Sequence, residues 1–169
     1  MKPLVVAIAL VSAAAGVCAD TIDRVLAVVA GQLITLSDLN AMRDLGIITA
    51  APNSADPTGD VLAKLIDREL MLAEVERYAP PEPESADIDR EVAVVRARFP
   101  SQKAFDDVLA RAGFDLGHVR EIVRQNLRLK AYLDQRFAVA TDEQRRQTMI
   151  DDWVAGLRRR SPAINLYKK

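Results

Sequence analysis

Cysteine is almost absent from this chain: Cys18 is the single one among 169 residues. Histidine is as scarce, with His118 alone, and aromatic residues make up 5%. No charge of one sign dominates, since 23 Lys and Arg face 24 Asp and Glu for a net charge of −1. Each shortage excludes something. One cysteine cannot build a disulfide framework. One histidine, with no HxxxH or HExxH spacing, does not support a histidine-based metal site. Balanced charge argues against nucleic acid or anionic lipid as the main partner. The Arg158-Arg159-Arg160 run is the only basic cluster, and a helix C-terminus accounts for it, because cations there oppose the helix dipole. Also missing are GxGxxG, GxxxxGK[ST] and GxSxG. The adjacent acids Asp106-Asp107 and Asp151-Asp152 point about 100° apart on a helix, so they cannot share a site as a catalytic dyad does. No catalytic residues and no cofactor are expected.

What the chain has is apolar substance: half of its residues are hydrophobic and 28% are charged, enough for one domain with a real core. The first stretch is read as a leader rather than as fold. Lys2 gives a positive start, Leu4 to Val11 an apolar run, and Val17-Cys18-Ala19 a small-x-small site for cleavage between Ala19 and Asp20. The run is too short to span a bilayer comfortably, and no later segment accompanies it. The rival reading is a lipoprotein signal acylated at Cys18, opposed by the missing large apolar residue upstream. The expected divisions are a signal at 1–19, a helical domain at 20–140, and a C-terminal helix and strand at 141–169 that complete the same core.

The chain is organised around the stretch Thr58 to Tyr78. Val61, Leu62, Leu65, Ile66, Leu70, Leu72 and Ala73 recur at the helical period and form a broad apolar face. Thr58 is the expected N-cap, and Pro80-Pro81 forbid continuation. Before this helix, Ile22 to Val29 and Leu33 to Thr35 read as a hairpin with a turn at Ala30-Gly31 or Gly31-Gln32. Ser37 is the expected cap of a short helix over Asp38 to Leu45, closed by Gly46. After it, a third helix is expected from about Ala86 to Phe99, with Ile88, Val92, Val95 and Phe99 inward. A fourth is capped by Ser101 and closed by Gly113, with Phe105, Val108 and Leu109 inside. A fifth runs from Asp115 to Phe137, with Leu116, Val119, Ile122, Val123, Leu127 and Leu133 inside. His118 reads as a solvated residue of its first turn. A sixth starts at a Thr141–Gln144 capping box and buries Trp153, Val154 and Leu157. Ala163 to Tyr167 reads as a last strand that must pair with the hairpin. The expected fold is mainly α (α+β), with the two chain ends meeting.

Glu69 projects near the apolar stripe of the central helix. Either it is a tuned acid in a cleft, or it pairs with an arginine of the fifth helix, Arg124 or Arg128.

The order of these elements resembles the N-terminal chaperone domain of SurA, a family of periplasmic chaperones and parvulin-type foldases. The segments that carry it are IDRVLAVVAGQLITLSDL, LAKLIDRELMLAEVERY, FPSQKAFDDVLARAGFDLGHVR and RQNLRLKAYLDQRF. They cover roughly Ile22 to Phe137. In that family an isomerase domain follows the long helix, and here only Ala138-Val139-Ala140 stand in its place. The resemblance therefore implies a SurA-type core without the parvulin domain, and no prolyl isomerase activity. It implies an ATP-independent periplasmic holdase whose partners are unfolded polypeptides, chiefly outer-membrane protein precursors. An apolar groove would hold extended chain, with Met42, Leu45, Ile47, Ile48 and Met71 as candidate lining residues. The alternative is an envelope adaptor that binds one dedicated partner and lacks general chaperone activity.

Overall fold

The computed structural model describes residues 23–168. Cys18, the cleavage site at Ala19 and Asp20, and Ile22 lie outside the described residues. Among the described residues there are six helices and one three-stranded sheet: β1 (Val25–Val29), β2 (Gln32–Thr35), α1 (Leu36–Asp44), α2 (Pro57–Tyr78), α3 (Ser85–Arg96), α4 (Gln102–Ala112), α5 (Leu116–Arg136), α6 (Glu143–Arg160) and β3 (Ile164–Asn165). The class is mainly α with a small antiparallel sheet. No helix of the described residues is long and apolar enough to cross a membrane.

The hairpin turns at Ala30 and Gly31, both in the left-handed region with φ of 49° and 84°. Two such residues in a row make the turn whose twist suits antiparallel strands. No atom would crowd a side chain at Gly31, so its backbone angle, not space, is what favours glycine. β1 is the middle strand, with β2 on one side and β3 on the other. β3 pairs antiparallel with β1, setting Ala27 opposite Asn165 and Val28 opposite Ile164. The two ends of the described chain thus meet in one sheet.

Several caps fall beside the expected residue. Thr35, not Ser37, caps α1: its hydroxyl accepts from the Asp38 amide at 3.2 Å, and Asp38 Oδ2 accepts from the Thr35 amide at 2.9 Å. The Ser37 amide turns to Asp23 Oδ1 at 3.3 Å. α2 is capped by Asp56, whose carboxylate accepts from the Gly59 amide at 3.0 Å, and Pro57 takes the first helical position, where its missing N–H costs nothing. Asp142 caps α6 in place of Thr141. α3 stops at Arg96, short of Phe99, which instead lies across the Phe105 ring with centroids 5.4 Å apart. Ser101, Gly113 and Asp115 do sit at the helix ends expected of them.

The apolar residues fall into two clusters. The first joins Leu26, Val29 and Ile34 of the sheet, Val61, Leu62, Leu65, Leu70 and Val75 of α2, and Trp153, Val154 and Leu157 of α6. The second joins Leu45 with α3, α4 and the first half of α5. Burying each large aliphatic side chain is worth about 1.5–3 kcal/mol. α5 contributes to both clusters: Val119 and Val123 to the second, Tyr132 to the first. Leu116, expected inside, is exposed at the first position of α5. Arg158 of the basic run is held by Asp67 of α2 in a two-bond contact at 2.6 and 2.5 Å, which fastens the end of α6 to the central helix.

Candidate functional site

Where α2 passes α5, each helix presents one stripe to an open groove. On α2 the stripe is Lys64, Arg68 and Met71; on α5 it is Asn126, Leu129, Lys130 and Leu133. These spacings of three and four place side chains in a row on one helix face. Ile47, Ile48 and Thr49, from the turn after α1, close one wall, and Arg146 of α6 also borders the space. The groove has a volume of about 540 Å³. Its apolar surface comes from Ile47, Ile48, Met71, Leu129 and Leu133, all half-buried.

Local chain geometry holds the wall. Gly46 ends α1 with φ of 66°, a left-handed angle that glycine adopts without strain. The amides of Ile47 and Ile48 both turn back to the Met42 carbonyl, at 2.9 and 3.1 Å. Arg98 donates to the Gly46 carbonyl at 2.7 Å, and Lys64 Nζ to the Thr49 carbonyl at 2.6 Å. The turn that carries the two isoleucines is therefore clamped from both sides.

Of the five expected lining residues, the structure brings Ile47, Ile48 and Met71 together in this groove. Met42 and Leu45 belong elsewhere. Leu45 is 1% exposed and packs in the second cluster, and Met42 is 4% exposed and packs in the first. Met42 of α1 and Leu45 at its end face inward, whereas the two isoleucines follow the glycine that breaks the helix and leaves them facing the groove.

The Glu69 pairing is also corrected. Neither Arg124 nor Arg128 is its partner. Glu69 Oε1 accepts from Nη1 of its neighbour Arg68 at 2.8 Å. Arg68 itself is 8% exposed, although it is not one of the apolar residues that form the face of the central helix. It reaches across to α5, donating to Gln125 Oε1 at 2.8 Å and to Asn126 Oδ1 at 3.2 and 3.3 Å. Burial pulls its guanidinium below its ordinary value, opposed mainly by the charge of Glu69. Arg124 is taken by Glu121 and by Glu82, which hold it more firmly protonated. Arg128 binds Glu76, with Glu82 at ion-pair distance of 3.2 Å from its Nε. Glu82 lies in the Pro-rich linker after α2, which carried no periodic signal. The polar pair Gln125-Asn126 in a long, otherwise apolar-striped helix was the available hint that a charged group lay opposite.

Arg68 also divides two spaces. On its other side lies a smaller hollow of about 230 Å³, bordered by Leu33, Met42, Glu69, Phe114, His118 and Glu121 among others. His118 stacks on Phe114 at 4.9 Å between centroids, and its Nδ1 lies 2.7 Å from the Asp115 carboxylate. Asp115 is held below the usual carboxylate range, first by the His118 amide and then by the ring. That arrangement makes a helix cap. Among the described residues, no group of three or more His, Cys, Asp or Glu side chains is placed to hold a metal.

A third feature was not foreseen in the spacing. Tyr132 of α5 is buried and forms an aromatic chain with Tyr78 at 5.3 Å and Trp153 at 5.7 Å, and Phe137 meets Trp153 at 5.9 Å. Arg136 lies over the Trp153 ring at 5.3 Å and donates to the Tyr132 hydroxyl at 3.0 Å. These contacts join α2, α5 and α6 beyond the groove. No protein-family model matches the sequence, and no curated protein matches it.

Proposed function

We propose that this protein is an ATP-independent holdase of the cell envelope, working in the periplasm on unfolded chains such as outer-membrane protein precursors. The observation that carries the reading is the groove between α2 and α5, where Ile47, Ile48, Met71, Leu129 and Leu133 stay half-buried around an open space of about 540 Å³. An open groove whose apolar side chains stand among polar ones holds extended polypeptide reversibly, as a holdase must. Met71 suits varied clients, because an unbranched thioether adapts its shape. The leader-like start and the resemblance to the SurA chaperone core support the compartment and the client class.

The test uses protein purified from the envelope after expression of the full chain. An unfolded outer-membrane β-barrel protein is diluted from urea, and light scattering is followed with and without the chaperone. Suppressed aggregation at near-stoichiometric ratio, without ATP, is the expected result. Ile48→Asp, which puts a carboxylate on the apolar wall, should weaken it severalfold, with circular dichroism checking that the variant, whose Ile48 also touches the main cluster, stays folded at the assay temperature. If β-barrel and unrelated soluble clients both aggregate as they do alone, the holdase reading fails and a dedicated-partner adaptor takes its place.

A further inference from the structure

The groove carries a charge pattern that its apolar floor does not require. Every charged side chain bordering it is a cation: Lys64, Arg68, Lys130 and Arg146. They come from three helices. The carboxylates near them lie outside the groove lining. Glu69 serves Arg68 from the side of the smaller hollow. Asp134 is shared by Lys130 at 2.6 Å and Arg146 at 2.7 Å, and Glu143 stands 3.7 Å from Arg146. Lys64 differs from the others. Its ammonium meets the Thr49 carbonyl and no carboxylate among the described residues. A positive charge outside any close ion pair among the described residues thus stands beside Ile47, Ile48 and Met71, on a protein whose net charge is −1.

We infer that the groove selects extended apolar segments that carry an aspartate or glutamate side chain, with Lys64 as the residue that reads the carboxylate. The inference rests on the holdase reading and adds a client preference to it. The apolar side chains of the segment fill the floor, and the carboxylate replaces water at Lys64. The three other cations are paired with Glu69, Asp134 and Glu143, so the preference rests on Lys64, which favours acidic clients and disfavours basic ones. Lys64 is exposed, and a charge pair at such a site discriminates modestly and is weakened by salt.

The experiment uses fluorescent peptides of one apolar sequence, acetylated and amidated at the ends, with Glu, Gln or Lys at one central position. Fluorescence anisotropy measures the affinity of each. The Glu peptide should bind about three- to fivefold more tightly than the Gln peptide, and the Lys peptide more weakly than both. The Glu preference should shrink at 0.5 M salt and in Lys64→Gln, whose fold is checked by circular dichroism. Equal affinity of the three peptides for the parent protein would overturn the charge preference while leaving the holdase reading intact. A neutral peptide with a free C-terminus that binds as tightly as the Glu peptide would shift recognition to chain ends and overturn it too. Failure of every peptide to bind would count against both the preference and the holdase.

Discussion

Arg68 shows how one side chain can serve two spaces. Its guanidinium satisfies Glu69, Gln125 and Asn126, and its stem walls the groove on one side and the hollow on the other. Its partner Glu69 keeps 22% of its side chain in solvent. The two ends of this pair therefore differ in cost. Arg68→Ala leaves Asn126, Gln125 and Glu69 without their donor and opens the groove to the hollow, and it should cost about 3 kcal/mol in urea unfolding. Glu69→Gln keeps an acceptor for the guanidinium and stays partly wet, so it should cost about 1 kcal/mol. Arg68→Met, which refills the volume, should recover part of the loss. Equal costs for Arg68→Ala and Glu69→Gln would show that the α5 contacts of Arg68 add nothing. The sequence carries a hint of a charged group here in Gln125-Asn126, but not the identity of the arginine. A charged residue has no place in an apolar period, but a long side chain on the flank of a stripe can turn into the interface when a polar partner waits there. The same limit applies to Met42 and Leu45, since a groove residue and a core residue have the same period.

At the scale of elements the sequence is more legible, because turns and caps depend on few residues. The helix order, the hairpin and the ends at Ser101, Gly113 and Asp115 follow directly from residue type. The caps that moved did so by one or two positions, where Thr35 competes with Ser37 and Asp56 with Thr58, and backbone entry angle decides. Two predictions belong here. Ala30 occupies a left-handed turn position that suits asparagine better, so Ala30→Asn should stabilise the hairpin by about 1 kcal/mol, read as a rise in the urea midpoint. Asp115 is held below its ordinary value of 3.8 by the amide and ring of His118. A carboxyl whose folded value is depressed stabilises the fold above its unfolded value, and that contribution disappears as pH falls through the folded one. The unfolding midpoint should therefore fall below about pH 4, partly because of this group. Asp115→Asn retains a good cap but cannot titrate, so its acid slope should be shallower than that of the parent. An identical slope would remove Asp115 from the acid response.

Over the whole molecule, the decisive contact joins the two ends of the described chain. β3 is short, and its Ile164 side chain is 61% exposed, so the strand adds little core by itself. Its value lies in what it covers. β1 carries Leu26, Ala27 and Val29 into the main cluster, and β3 occupies its second edge. The Leu166 amide donates to the Leu26 carbonyl at 2.9 Å, Tyr167 packs on the cluster, and its hydroxyl donates to Asp56 Oδ1 at 3.1 Å. Asp56 in turn caps α2. The tail thus supports the sheet and the start of the central helix together. That the last strand must pair was legible, because an isolated strand cannot hold its hydrogen bonds unmet and only one sheet was available. Its link to the α2 cap was not, since it joins residues far apart in the chain. Deleting Ser161 to Lys169 should lower the melting temperature by about 10 °C, the equivalent of about 3 kcal/mol in a chain of this size. It should also promote association through the uncovered edge of β1. Tyr167→Phe removes the hydroxyl that donates to Asp56 and should lower it by about 3 °C. A truncated protein that melts with the parent would mean that the sheet and α2 stand without the tail, and that the meeting of the ends stabilises neither.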